Sequence, residues 1–178
     1  MSVKMPSPEE IARARRKVQE EKSREALARI REQIDKGEGD ALAWYQLGVA
    51  HLALGEQKQA LKALQKSVKL DPRFIHAWVN LGTVHYELGE YGKAAEFNRK
   101  ALDIAPGFVP ARVNLGLSLN ALGRYAESID ELTRVLHLEP NMPMALAGLY
   151  EAHKALMHMD EAQRFRRLAE EAGVRFVE

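Results

Sequence analysis

His51, His85 and His153 are the side chains with most chemical reach in this 178-residue sequence, and they share one position of a 34-residue period. Imidazole can bind metal or move a proton at neutral pH. A metal site, however, needs its ligands to converge on one point. Equivalent positions in successive units stand too far apart for that, so the three are expected to be packed core histidines. His153 and His158 also miss the i, i+4 spacing of a helical zinc pair. The chain has no cysteine, which excludes disulfides, thiolate nucleophiles and cysteine-ligated zinc. Carboxylates fall singly on polar faces, with no apolar setting to tune one as an acid. Neither a glycine-rich phosphate loop nor a nucleophile elbow is present. The reading is therefore no catalysis, no metal and no cofactor.

The cluster Arg13, Arg15, Arg16 and Lys17 could contact phosphate or act as a targeting signal, but the glutamates around it make a solvated charged helix. A net charge of +1 gives no long-range pull on nucleic acid or anionic lipid. No window reaches the roughly 18 apolar residues of a membrane span, and the first six residues lack the apolar stretch of a secretory signal. Neither nucleic acid nor membrane insertion is expected, and a chain complete as given belongs in the cytoplasm. Its 46% hydrophobic and 29% charged residues suit one domain that buries its core without staples.

Positioning falls to a repeat. Trp44, Leu47 and Gly48 recur as Trp78, Leu81 and Gly82, then as Arg112, Leu115 and Gly116, with an offset of 34 each time. Leu54-Gly55, Leu88-Gly89 and Leu122-Gly123 keep the same register. So do Ala60, Ala94 and Ser128, and so do Asp71-Pro72, Ala105-Pro106 and Glu139-Pro140. Apolar residues fall at helical spacing in each unit. Gly48, Gly82 and Gly116 sit mid-helix at a cost of about 1 kcal/mol each, which calls for a close approach by a paired helix. The second glycines suit left-handed C-caps, and the prolines stop the second helix. Each unit is a helical hairpin that buries its apolar face only by stacking.

This pattern resembles the tetratricopeptide-repeat family, whose repeat carries Trp, Leu-Gly, Tyr, Ala, a large apolar residue, Ala and Pro. The resemblance implies an all-α fold, a right-handed α-α superhelix of stacked hairpins with a long N-terminal capping helix. Full repeats cover 41–74, 75–108 and 109–142. The three histidines occupy a position that the family usually gives to tyrosine. A fourth, degenerate repeat spans 143–172: Tyr150 stands at the close-packing glycine, Met157 at the capping glycine and Arg166 in an apolar slot. Its polar run from Gln163 to Glu171 suits a terminal cap. The tail, 173–178, is apolar enough to fold back on that cap or dock elsewhere.

Residues 1–40 form a charged arm with ten Lys/Arg and nine Asp/Glu. Ser7-Pro8-Glu9-Glu10 reads as a capping box, opening a helix that runs to about Lys36 and ends at Gly37. Glu20–Arg24, Glu25–Arg29 and Glu32–Lys36 are spaced for exposed ion pairs. Ala26, Ile30 and Ile34 should pack on the first hairpin. The first half offers only Ile11, Ala14 and Val18, its apolar stripe breaks near Lys22-Ser23, and it is expected to project or swing.

The resemblance implies one site, a concave groove lined by the first helix of each hairpin. The groove positions are Tyr45, Val49 and Leu52 from the first hairpin and His76, Val79, Asn80, Thr83 and Tyr86 from the second. The third contributes Val113, Asn114, Leu117 and Asn120. Asn80 and Asn114 are equivalent, and amides can both donate to and accept from an extended backbone. A subgroup of the family grips chaperone C-termini with lysine, asparagine and arginine. Only Asn80 matches that clamp, its basic positions being held by Tyr45, Pro110 and Asn114, so chaperone tails are not expected as ligands. Two functions follow. One is an adaptor that binds a protein or peptide partner. The other is a homo-oligomeric scaffold in which the N-terminal helix or the tail docks in a neighbour's groove.

Overall fold

Caps and prolines divide this chain into one long first helix followed by helices of 13 or 14 residues. The structure is a computed structural model that describes residues 7–176, so the first six residues of the arm and the last two of the tail lie outside the described residues. Helix α1 spans Pro8–Gln33 and passes through a π-helical turn, Ile34–Glu38. Then come α2 (Ala41–Ala53), α3 (Gln57–Leu70), α4 (Ile75–Glu87), α5 (Tyr91–Ile104), α6 (Val109–Ala121), α7 (Tyr125–Leu138), α8 (Pro143–Ala155) and α9 (Met159–Glu171). Among the described residues there is no strand, and the fold is all-α. The residues before Pro72, Pro106 and Pro140 are extended at φ −130°, −136° and −133°, as the proline ring demands, and the preceding helices end there.

The chain divides into two compact units, Met1–Ala77 and Trp78–Glu178. In the first, the Ser7 hydroxyl accepts from the Glu10 amide at 3.2 Å while the Glu10 carboxylate accepts from the Ser7 amide at 2.7 Å, closing the capping box. The helix stays unbroken past Lys22 and stops where Gly37 turns left-handed at φ 85°. Lys36 pairs with Glu32 at 2.7 Å as spaced, but Glu20 pairs with Arg16, one turn before it, rather than Arg24. Ile30 and Ile34 are half-buried, whereas Ala26 is exposed. The packed stripe runs through Ser23, Leu27, Ile30 and Ile34, so Ala26 falls on its edge. Leu64, Ala60 and Leu47 build the core of the first hairpin, and the Ser67 hydroxyl donates to the Ala41 carbonyl at 2.7 Å.

In the second unit Val113, Leu132, Val135, Ala145 and Leu149 form a core that joins α6, α7 and α8. Trp78 stacks on Phe97, which also stacks on His85. At the end of the chain Phe176 folds back, its ring 4.8 Å from that of Tyr150 and under the Arg166 guanidinium. The tail thus covers the tyrosine that stands where the other repeats have their packing glycine.

Four turns share one geometry. Glu56, Glu90, Arg124 and His158 each donate an amide to the carbonyl five residues back, at 2.8–2.9 Å, in the manner of a Schellman turn. The residue before each is left-handed: Gly55, Gly89 and Gly123 at φ 73–75°, and Met157 at φ 60°. Met157 is 76% exposed, so its side chain gains little from packing to offset that backbone. A non-glycine residue pays roughly 1–2 kcal/mol in this region. Met157→Gly is therefore expected to raise stability by about 1 kcal/mol, read as a higher urea midpoint at unchanged slope.

Candidate functional site

The histidine register closes on itself rather than on a ligand. His51 Nδ1 lies 2.5 Å from Glu56 and His85 Nδ1 2.5 Å from Glu90, each pair bridging its own hairpin turn. Lys93 and His85 together hold the Glu90 carboxyl below its usual range. Both imidazoles are buried. In the fourth hairpin His158 occupies the acid's place, 5.6 Å ring to ring from His153, and His153 stacks on Phe165. Its Nδ1 has no hydrogen-bond partner. Among the described residues no three His, Asp or Glu converge as a metal site would need.

Burial, opposed by Glu161 and helped by His158, pushes the His153 imidazole below its ordinary value. A depressed histidine favours the neutral form in the folded state. Its contribution is whole above the unfolded value, about 6.5, and fades as pH falls through the folded one. Urea midpoints should accordingly drop between pH 7 and pH 5. His153→Gln should make that drop shallower, and an identical profile would show that other groups set it.

The predicted groove residues separate into several environments. Tyr45 packs its ring 5.0 Å from Phe74 and 6.3 Å from His76 within the first unit. Val49 joins Tyr45 on a crevice beside α1, and Leu52 is half-buried outside it. Val79 and Val113 are only 8% and 2% exposed, and belong to the core rather than to an open face. Asn80 is half-buried and lines neither the crevice beside α1 nor the hollow at Tyr86. Asn120 donates to the Gly148 carbonyl at 2.7 Å, tying α6 to α8.

Four of the predicted residues do come together. Thr83 and Tyr86 from α4 and Asn114 and Leu117 from α6 line a mainly apolar pocket of about 260 Å³ in the second unit. Glu87 and Met144 complete it. Asn114 Nδ2 donates to Thr83 Oγ1 at 3.2 Å, and Thr83 in turn donates to the Val79 carbonyl. That chain fixes the amide and leaves its oxygen as an acceptor. Burial, then Tyr91 beside it, raises the Tyr86 phenol, which therefore stays a neutral donor at physiological pH. The pocket offers an aromatic edge, a thioether, an amide and one carboxylate: the means to hold a side chain, with no nucleophile–base pair.

Met144 was legible in the repeat. The register that selects His76 selects Met144 two units later, in the hairpin that reads as a terminal cap. Glu87 carried no comparable signal, since Ala53 and Ala121 hold its position in the neighbouring repeats.

Three sequence profiles described as tetratricopeptide repeat match residues 41–74, 58–107 and 109–142, together more than half of the chain. A search of curated proteins gives no match. Among solved structures, a crystal structure of MamA superposes with a TM-score of 0.79 at 19% identity, covering 96% of both chains. The first repeat domain of Spaghetti (RPAP3), bound to the HSP90 peptide SRMEEVD, gives 0.65 at 24% identity over 66% of this chain and 94% of its own. PilF of Pseudomonas aeruginosa gives 0.74 at 20%, over 90% and 78%. At such identities the likeness is one of fold. No helix among the described residues is long and apolar enough to cross a membrane.

Proposed function

We propose that this chain, which belongs to the tetratricopeptide-repeat family, is a non-catalytic adaptor that holds a peptide or helix of a partner protein in the groove lined by α4, α6 and α8. Proteins built from this repeat generally serve as interaction modules. The observation that carries the reading is the pocket at Thr83, Tyr86, Asn114 and Leu117, where an apolar hollow meets a fixed amide and a neutral phenol. An apolar anchor of the partner enters the hollow. Tyr86 and Asn114 then satisfy the partner's backbone, which would otherwise lose about 1–3 kcal/mol per unmatched polar group. The proposal does not extend to chaperone tails, because Tyr45, Pro110 and Asn114 stand where that clamp needs cations.

The scaffold reading rests on α1, whose Ile11 and Val18 are bare. Light scattering at rising concentration separates the two, a constant monomer mass favouring the adaptor.

A photo-crosslinker at Met144 should capture the partner, and titration then measures the site. Tyr86→Ala and Asn114→Ala are each expected to weaken binding tenfold or more, with melting curves nearly unmoved, since aromatic anchors dominate interfaces and 1.4 kcal/mol is one decade. Undiminished affinity in both variants would put the binding site elsewhere.

A further inference from the structure

An open, partly apolar crevice lies in the first unit, along the flank of α1. The second half of α1 is built like the second helix of a hairpin whose first helix is missing. Ala26 and Ile30 stand one period before Ala60 and Leu64. Those two are fully buried beneath α2, packed so closely that a Cβ on Gly48 would come within 2.7 Å of Leu64. Ala94 and Asn98 are covered in the same way in the next hairpin. Ala26, by contrast, is exposed and Ile30 half-exposed. What covers their counterparts is absent here, and a crevice of about 600 Å³ runs beside them, completed by Val49 and Ala53 of α2.

Charge narrows the occupant. Lys22 and Arg29 line the crevice, no carboxylate does, and neither cation makes an ion pair among the described residues. The chain's own segment 8–18 is held in the unbroken helix α1, which continues into the crevice wall at Gln19, and its cluster Arg13, Arg15, Arg16 and Lys17 has the same sign as that rim. Like charges so placed repel, whereas carboxylates would be drawn in. We infer that the crevice between α1 and α2 receives an amphipathic, acidic helix of a partner protein, which completes a hairpin with α1 by setting a small residue against Ala26 and Ile30. This is the helix-in-groove mode of recognition, read at i, i+3 and i+4 positions. It goes beyond the groove reading above and involves none of its residues in the second unit.

The probe is a pair of stapled, fluorescein-labelled peptides that keep the apolar register and central glycine of α4, with glutamate at the polar positions of one and lysine at those of the other. Both are titrated against the full chain by anisotropy. The glutamate peptide is expected to bind at least tenfold more tightly. Ala26→Phe, at an exposed position, should weaken it tenfold or more without lowering the melting temperature. Lys22→Glu with Arg29→Glu should reverse the charge preference, and Tyr86→Ala should leave binding unchanged.

Failure of the glutamate peptide to bind up to millimolar concentration overturns the inference, as does binding indifferent to peptide charge or to Ala26→Phe. Loss of binding in Tyr86→Ala places the peptide on the other face and overturns it too. A concentration-dependent dimer abolished by Ala26→Phe would make a second copy the occupant and defeat the assignment to a partner.

Discussion

Replacing Gly116 by alanine is expected to destabilise the protein by about 1–2 kcal/mol, although alanine is the better helix former by about 1 kcal/mol. The sign turns on packing. A Cβ at position 116 would sit 2.5 Å and 2.6 Å from the Leu132 Cδ2 and Cγ atoms. Leu132 is fully buried in the core shared by α6, α7 and α8 and cannot swing aside. It is held from α8 as well, since a Cβ on Gly148 would meet its Cδ1 at 2.6 Å. Overpacking of a tight core costs about 1–3 kcal/mol for a small insertion, which outweighs the propensity gain. Gly116→Val adds two further carbons to the same contact and should lose about 3 kcal/mol or more.

Leu132→Ala alone is expected to lose about 3–5 kcal/mol, the range for a buried leucine whose cavity does not collapse. The double variant Gly116→Ala/Leu132→Ala should then be more stable than the sum of the single losses. The new methyl would fill part of the space it otherwise collides with, giving a coupling of about 1 kcal/mol. Urea midpoints for the four proteins decide the matter. A Gly116→Ala protein that melts higher than the parent would show that α6 and α7 are not in the close contact argued here.

That contact also shows how far the sequence carries. A glycine that recurs mid-helix announces a close approach, and Gly48, Gly82 and Gly116 all make one. What they make room for is the large side chain at Leu64, Asn98 and Leu132 more than the small one at Ala60, Ala94 and Ser128. Spacing alone could not distinguish those two, four residues apart on one helix face. The fourth glycine, Gly148, stands two positions off the register and serves the neighbouring hairpin, a role with no repeated signature. Caps and stops were readable because they act within four or five residues: the Ser7–Glu10 box, the extended residues before proline and the left-handed turns. Ala26 shows the same limit: it holds the register of buried Ala60 but stays exposed, because α1 has no first helix of its own hairpin to cover that face. Val79 and Val113 sank into the core because one face of each first helix turns inward while its flank stays open. Periodicity marks an apolar face, but not where that face stops being covered.

The arginine at position 112 breaks the repeat, and its partner breaks it in compensation. Trp44 and Trp78 hold that register in the first two hairpins, and Phe97 holds the register of Glu131. In the second hairpin Trp78 stacks on Phe97 at 5.9 Å. One repeat later the stack has become an ion pair: Arg112 Nη1 donates to Glu131, and Nη2 donates to the Pro106 carbonyl. The two side chains are only 12% and 21% exposed, so the pair offsets most of their lost hydration, helped by Pro106 on one side and by Arg134, 4.0 Å from the carboxylate, on the other. Restoring one member alone should be harmful. Arg112→Trp leaves the carboxylate only Arg134, 4.0 Å away and mostly exposed, and Pro106 without its donor, while Glu131→Phe leaves the guanidinium with a single acceptor. Removing one member of a fully buried pair costs about 3–5 kcal/mol, and partial exposure reduces the expected loss here to about 2–3 kcal/mol for each variant. The double change Arg112→Trp/Glu131→Phe rebuilds the stack of the preceding hairpin, and apolar replacements of a buried pair are often neutral or stabilising. It should recover to within about 1 kcal/mol of the parent, which makes the two substitutions strongly non-additive. Thermal and urea unfolding of the four proteins measure this directly. If the double variant lost the sum of the single effects, the pair would not be exchanging one kind of contact for the other, and the repeat register that aligns Arg112 with Trp78 and Glu131 with Phe97 would fail with it.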